Sequence, residues 1–303
     1  MTARTAIIGD VGGHPDALTT ALTDLGADVE AGTLPDELDV VQVGDLAHRG
    51  PDSMGVLEIV ERFLANSPAS QGSGRWTQLI GNHEAQYLRP DGPTFEGYPA
   101  IDQAGQDRLT HWWETDQMVV AAHVPTAGPD GLPGGTVITH AGVTAGFAFM
   151  VHQGVALGTV DAATMVEALN DLPREDRDDA LWMPGAMLTG HRLPFAGPLW
   201  AEAATELYEG WFYAQGAGPM PFDQVHGHSQ VFDFTSPNTR QWRCAHLVRD
   251  QCKVDMPNRH VTFRQYSGRT ITGVDPCHGA RPAKRWAPLV LEHAQPVAPG
   301  LWP

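Results

Sequence analysis

The chain is 303 residues long and 42% hydrophobic, enough for a real core in one large domain or two modest ones. Its 36 acidic against 19 basic residues give a formal net charge of −17, the wrong sign for a nucleic-acid or anionic-membrane partner. No stretch approaches eighteen consecutive apolar residues, Met1 leads into a strand without a signal-peptide pattern, and Cys244, Cys252 and Cys277 lack paired spacing. The expectation is a cytoplasmic globular protein with neither a disulfide framework nor a thiolate zinc site.

In chain order, Thr5 to Ile8 is a short apolar run ended by Gly9, and Pro15 opens a segment with Ala17, Leu18, Ala21, Leu22 and Leu25 at helical spacing, closed by Gly26. A second strand is expected from Leu38 to Val43, with Asp45 at its tip. A helix follows with Val56, Leu57, Val60, Phe63 and Leu64 on one face, stopped at Asn66-Ser67-Pro68. A third strand spans Trp76 to Ile80, so residues 5 to 80 read as β-α-β-α-β, an α/β signature. A short helix to Leu88 and an amphipathic stretch around Leu109, Trp112 and Trp113 come next. Met118 to Ala122 and Thr136 to Thr139 read as the arms of a hairpin around a Pro/Gly-rich turn at Pro125 to Gly135.

From about 141 to 221 the pattern is helical or irregular, clearest as a helix from Met165 to Leu172, with tryptophans at 182, 200 and 211 expected mainly in the core. Phe222 to Val225 leads to His226-Gly227-His228, and strand-like pieces recur at Val231 to Phe234, His260 to Phe263, Thr270 to Val274 and Leu289 to Leu291. No repeat or long linker divides the chain, so 1–303 is expected to be one domain with a helical or irregular insertion at about 141–221.

The chemistry gathers where apolar runs end. Gly9-Asp10, Gly44-Asp45, Gly81-Asn82-His83-Glu84, His140 and His228 each place an oxygen or imidazole ligand at the carboxyl end of a predicted strand. Five such ends describe a cage for divalent metal. Two cations about 3.5–4 Å apart need a bridging carboxylate, for which Asp45 is suited, and a shared water acidified enough to yield hydroxide near neutrality. Oxygen and nitrogen ligands without thiolate point to Mn, with Fe or Zn as alternatives.

The blocks Gly9-Asp10-Val11-Gly12-Gly13-His14, Gly44-Asp45-Leu46-Ala47-His48-Arg49-Gly50, Gly81-Asn82-His83-Glu84, Thr139-His140-Ala141-Gly142 and Gly227-His228-Ser229 resemble, in order and rough spacing, the calcineurin-like metallophosphoesterases. The resemblance is closest to the branch of serine/threonine phosphoprotein phosphatases and diadenosine tetraphosphate hydrolases. It implies a four-layer sandwich of two mixed β-sheets flanked by helices, and hydrolysis of phosphate mono- or diesters or nucleotide polyphosphates by metal-bound hydroxide. Carried over by position, Asp10 and Asp45 would hold a first metal and Asp45, Asn82, His140 and His228 a second. His83 would protonate the leaving oxygen, Arg49 would grip the phosphoryl oxygens, and Glu84 would support them.

Three departures stand out. Gly12 replaces the first-metal histidine of that pattern, His48 replaces the aspartate that orients the catalytic histidine, and Leu199-Trp200-Ala201-Glu202 has a carboxylate where a second phosphate-binding arginine often lies. His226-x-His228 allows two alternatives: His228 serves the second metal with His226 a mere neighbour, or His226 serves the second metal and His228 the first, while His48 is open as ligand or proton relay. The expected partner is a small phosphate ester, nucleotide or phosphoprotein. The rival readings are a Ser/Thr protein phosphatase, a single-metal hydrolase, and a degenerate fold kept for binding because Gly12 and His48 have removed turnover.

Overall fold

The expected β-α-β-α-β order is present in a computed structural model that describes residues 3–67, 74–89, 92–129, 134–152, 160–174, 178–214, 219–235 and 241–293. The first half runs β1 (Arg4–Ile8), α1 (Pro15–Asp24), β2 (Leu38–Gln42), α2 (Ser53–Asn66), β3 (Trp76–Leu79), α3 (Asn82–Leu88), α4 (Gln103–Glu114) and β4 (Met118–Val119). The second runs β5 (Ala121–Val124), β6 (Thr136–Thr139), α5 (Ala145–Val151), α6 (Ala162–Asp171), α7 (Asp178–Leu181) and α8 (Ala186–Thr189). A π-helical turn at Ala203–Tyr208 then continues into α9 (Glu209–Tyr213). After it come β7 (Asp223–His226), α10 (His246–Arg249), β8 (Cys252–Asp255), β9 (His260–Arg264), β10 (Thr270–Gly273) and β11 (Leu289–Glu292).

These strands form two mixed sheets. The first has the order β11-β1-β2-β3-β4, parallel except where β11 pairs antiparallel with β1. The second has the order β5-β6-β7-β10-β9-β8, with β6, β7 and β10 parallel. Side chains alternate across each strand, so one set from each sheet meets the other. Ile7, Val41, Val43 and Leu79 pack with Ala122, Val124, Ile138, Val225 and Val274 in that inner layer. The opposite set, including Ala6, Ile8, Val40 and Trp76, joins Leu18, Leu22, Val56, Val60 and Phe63 of α1 and α2. The helices begin where short polar caps allow: Pro15 occupies the first turn of α1, and Asp52 accepts the Gly55 N–H at 2.8 Å to start α2.

Three expectations need correction. Met118 to Ala122 is two strands in different sheets, because the N–H groups of Val120 and Ala121 donate to Asn170 Oδ1 at 3.0 and 2.9 Å and the chain turns there from one sheet to the other. Only Ala121–Val124 forms the hairpin with Thr136–Thr139, and residues 130–133 of its turn, like Pro68, lie outside the described residues. Val231 to Phe234 is no strand: Phe232 makes one isolated bridge to Trp242, and the segment is held by ring contacts among Phe232, Phe234 and Trp242. The edge strand β8 lacks an apolar run and was not foreseen. Residues 141–221 alternate helices with irregular segments such as 190–202 where described, and Trp112, Trp200 and Trp211 are buried. Among the described residues no helix is long and apolar enough to cross a membrane.

Parallel pairing puts the ends of β1, β2 and β3 along one edge, and the turn after β2 depends on glycine. Gly44 has φ +98°, and a Cβ there would fall 2.4 Å from the Gly81 nitrogen. Gly44→Ala is therefore expected to cost about 2–4 kcal/mol, read by chemical denaturation. A midpoint equal to wild type would show that the two loops are free to separate.

Candidate active site

Each motif block lies just past a strand end, and backbone hydrogen bonds tie the blocks together. Gly12 N–H donates to Asp45 O at 2.8 Å and Gly50 N–H to Gly12 O at 2.7 Å, joining the first two loops. His83 N–H donates to Asp45 Oδ1 at 3.0 Å, which brings in the third. Gly227 N–H donates to His140 O at 2.8 Å, and His228 N–H to Asp10 Oδ1 at 3.0 Å, so the second sheet is fastened to the first at this edge. Asp45, His48, Arg49 and His228 all have positive φ, which turns their side chains out of the regular strand path.

Asp10, Asp45, Asn82, His83, Glu84, His140 and His228 are all buried and converge. His140 Nδ1 lies 2.8 Å from Val43 O, a carbonyl that can only accept, so in the neutral ring the lone pair sits on Nε2. That nitrogen is 2.8 Å from Asn82 Oδ1 and 3.3 Å from Asp45 Oδ1, and His228 Nδ1 is 2.9 Å from the same Asn82 oxygen. Ligand atoms of Asp45, His140 and His228 fall within 4.8 Å of one another. Asp45 Oδ2 and His228 Nε2 are buried with no hydrogen-bond partner in the described structure. His228 Nδ1–H donates to Asn82 Oδ1, while the lone pair of His140 Nε2 faces the oxygens of Asn82 and Asp45, and Asp45 Oδ2 and His228 Nε2 are orphaned; such a cluster of acceptors fits a divalent cation.

The electrostatics agree. Burial drives Asp10 well above the ordinary carboxylate range, with Asp275 and Asp45 adding to it and the His228 N–H and Arg49 opposing. Burial also disfavours a charged Asp45, yet His83, His140, Arg49 and His228 outweigh it and hold its carboxyl below the usual range. Burial lowers His83, and lowers His48 to about 4 with the help of His83, so both rings are neutral near pH 7. Glu84 accepts N–H groups from Asp45, Leu46, Ala47 and Gly81 at 2.7, 2.8, 3.3 and 3.0 Å. Burial pushes its pKa up to about 7, with the charge of Asp45 adding and the amides opposing.

The replaced positions have physical accounts. A Cβ on Gly12 would lie 3.4–3.8 Å from the Arg49 side-chain carbons, so the arginine stem runs over the place where a histidine would start. Arg49 makes no ion pair among the described residues, and the charges of Asp45, Asp275 and Asp10 favour its cationic form. His48 packs Nδ1 to Nδ1 with His83 at 2.8 Å. His226 turns away from the cluster, with Nδ1 2.8 Å from Gly227 O and Nε2 3.3 Å from the Tyr208 hydroxyl. Glu202 accepts from Ala204 and Thr205 N–H at 3.1 and 2.7 Å, so it caps the π-helical turn.

Some neighbours were not foreseen. Asp275, buried just beyond β10, repeats the strand-end carboxylate of Asp10 and Asp45, and the same rule would have found it. Phe95 stacks on His83 at 4.1 Å between centroids, and Tyr98 stacks on His48 at 5.8 Å, both from a loop without periodic signal. Trp200 stacks on Phe95 at 6.0 Å and meets His228 edge-on.

A sequence model described as calcineurin-like phosphoesterase matches residues 3–242, and the chain belongs to that family. Among solved structures, a cold-active protein-tyrosine phosphatase of a psychrophile, Shewanella sp., is similar with a TM-score of 0.53 and 14% identity, over 96% of this chain and 76% of that one. A protein serine/threonine phosphatase from Saccharomyces cerevisiae matches at 9% identity over 97% of this chain and 81% of that one, with a TM-score of 0.42. At these identities the first likeness speaks for the fold alone, and the second adds no argument. No curated protein matches the sequence.

Glu84→Gln would turn an amide N–H₂ toward backbone donors in a buried space. We expect a loss of about 2–4 kcal/mol in denaturant unfolding. Wild-type stability in this variant would mean that the four amides find other acceptors.

Proposed function

We propose that this member of the calcineurin-like phosphoesterases hydrolyses a small phosphate ester or nucleotide, with His83 protonating the leaving oxygen and Arg49 gripping the phosphoryl group. The observation that supports the reading is the single edge at which ligand atoms of Asp45, Asn82, His140 and His228 gather beside His83 and a guanidinium that makes no ion pair among the described residues. Asp10 and Asp45 would hold a first divalent cation, and Asp45, Asn82, His140 and His228 a second. Asp275 lends a carboxylate on the Asp10 side, where Gly12 offers no nitrogen. Two cations, Mn in our reading with Fe or Zn as alternatives, would when bound acidify a shared water and offset phosphoryl charge.

The chain's own groups account for the rest. Three buried carboxyl groups, Asp10, Asp45 and Asp275, face one guanidinium, and the crowding that raises Asp10 and Asp275 is relieved either by protonation or by further cations. Arg49 presents a planar fork suited to two phosphoryl oxygens. His83 Nε2 is 3.7 Å from Asp45 Oδ2 and so faces the ligand cluster. Phe95, Tyr98 and Trp200 give this edge an aromatic wall that suits a small flat substituent, and the net charge of −17 disfavours nucleic acid. In the same reading residues 1–303 act as one domain, with a helical or irregular insertion at about 141–221.

The test is turnover of p-nitrophenyl phosphate, a nucleotide panel and a phosphopeptide by Mn-loaded protein. We expect Asp45→Asn to lower kcat by at least about 10³-fold and Arg49→Ala to act mainly on KM. Equal background in wild type and Asp45→Asn would favour a binding role instead. Metal analysis after dialysis is expected to give about two Mn per chain, falling by about one in Asp275→Asn. One metal in both proteins would reduce the centre to the Asn82, His140 and His228 site.

A further inference from the structure

The position opposite the catalytic-acid candidate is filled by His48, and what surrounds it settles where its proton lies. Helix α3 carries His83, Gln86 and Tyr87 at i, i+3 and i+4, so all three reach the same side. Gln86 Oε1 accepts the Phe95 N–H at 3.1 Å, which fixes the orientation of the amide and leaves its nitrogen to donate. That nitrogen donates to His48 Nε2 at 3.0 Å and to His83 O at 3.3 Å. A ring nitrogen that accepts from an amide carries no proton, so the neutral His48 ring is protonated on Nδ1.

His48 Nδ1 lies 2.8 Å from His83 Nδ1, and only one proton fits between two nitrogens at that distance. Since His48 supplies it, His83 Nδ1 accepts, and the neutral His83 ring has its proton on Nε2, the atom that faces Asp45 Oδ2. The far end is also defined. The Tyr87 hydroxyl oxygen accepts the Ile101 N–H at 3.2 Å and sits 2.7 Å from His48 Nε2, which leaves its O–H free to donate there. His48 is held in place by its own N–H, which donates to Ser53 Oγ at 2.9 Å, and by the stacked Tyr98 ring.

We infer that Gln86, Tyr87 and His48 act as positioning residues that fix His83 as its Nε2–H tautomer, and that Tyr87 and His48 form a proton chain through which its proton is replaced. An aspartate at position 48 would impose the opposite tautomer, because a carboxylate can only accept and would draw the proton to His83 Nδ1. The inference rests on His83 being the acid of the proposed hydrolysis. In the step, the His83 Nε2–H bond breaks as the leaving oxygen gains its proton. The His48 Nδ1 proton passes to His83 Nδ1, and the Tyr87 hydroxyl proton passes to His48 Nε2, which leaves Tyr87 as a transient tyrosinate. The chain resets when His83 Nε2 takes up the proton lost by the attacking water and the two inner protons shift back, so the ester and water supply every atom of the alcohol and phosphate. A neutral imidazole alone is a poor acid, and the concerted refill avoids leaving an imidazolate behind.

The direct test is nitrogen NMR on the zinc-loaded full chain labelled with ¹⁵N-histidine, zinc being diamagnetic. A protonated Nε2 and bare Nδ1 on His83, with the reverse on His48, is expected, and His48→Asp is expected to move the His83 proton to Nδ1. A protonated Nδ1 on His83 in the wild type would overturn the inference. This measurement does not depend on turnover, so it fails separately from the phosphoesterase reading. In kinetics, an alkyl phosphate needs a proton on its leaving oxygen far more than p-nitrophenyl phosphate does. Tyr87→Phe is expected to lower the alkyl-to-aryl ratio of kcat about tenfold. A fall of equal size on both esters would mark Tyr87 as structural support and sink the chain.

Discussion

The carboxylate of Glu84 accepts four backbone N–H groups, from Gly81 on its own loop and from Asp45, Leu46 and Ala47 on the loop after β2, and the rest of the site follows from that arrangement. Each charge-assisted bond contributes about 1.5–3 kcal/mol, which offsets part of the several kcal/mol needed to bury a carboxylate, and the remainder shows in its raised pKa. The amides so occupied explain why Asp45 tolerates φ +55° and why its side chain is free to receive the His83 N–H. A shorter or uncharged residue at 84 would leave these donors without partners in a space that excludes water. The loop carrying Asp45, His48 and Arg49 and the helix carrying Asn82 and His83 are thus one rigid piece.

Within that piece, two substitutions in the expected motif change the surroundings in connected ways. Without a side chain at Gly12, the Arg49 stem lies over the first loop, and its guanidinium is drawn toward Asp10, Asp45 and Asp275. The same glycine leaves Asp10 with carboxylate neighbours in place of an imidazole, which is why Asp275 matters to the charge balance. With His48 in place of an aspartate, the site loses an anion beside His83 and gains a ring with two addressable nitrogens. Those nitrogens are what allow Gln86 and Tyr87, residues with no role in the motif itself, to set the state of His83.

Much of this was legible in the sequence because strand ends carry their own punctuation. Asp10, Asp45, Asn82, His140 and His228 each follow an apolar run, and parallel pairing brings the ends of such runs to a common edge. Asp275 follows the same rule, but no motif surrounds it to mark it out from other aspartates. The break at Val120 was not legible, since it depends on Asn170 fifty residues away taking two strand N–H groups. Nor was the wall of Phe95 and Tyr98, which comes from a loop whose course is set by Gln86 and Tyr87 accepting its amides. His226 shows the limit of spacing arguments. Residues two apart on a strand face the same way, yet His226 ends the strand proper and His228 follows a turn with φ +63°, so the rings part.

The division of ligands between sheets gives the site a second consequence. Asp10, Asp45 and Asn82 come from the first sheet, His140 and His228 from the second, and direct bonds already cross the gap through Val43 O with His140 and Asp10 with the His228 N–H. Behind this polar edge lies the apolar layer of Ile7, Val41 and Leu79 against Ile138 and Val225. Apolar packing is indifferent to small sliding of one sheet over the other, whereas hydrogen bonds of 2.8–3.0 Å are not. The inner layer therefore supplies most of the cohesion between sheets, and the polar edge supplies their register. A cation shared by Asp45 and the two histidines would add to the second effect without needing the first to change, so ligand geometry and sheet register constrain each other.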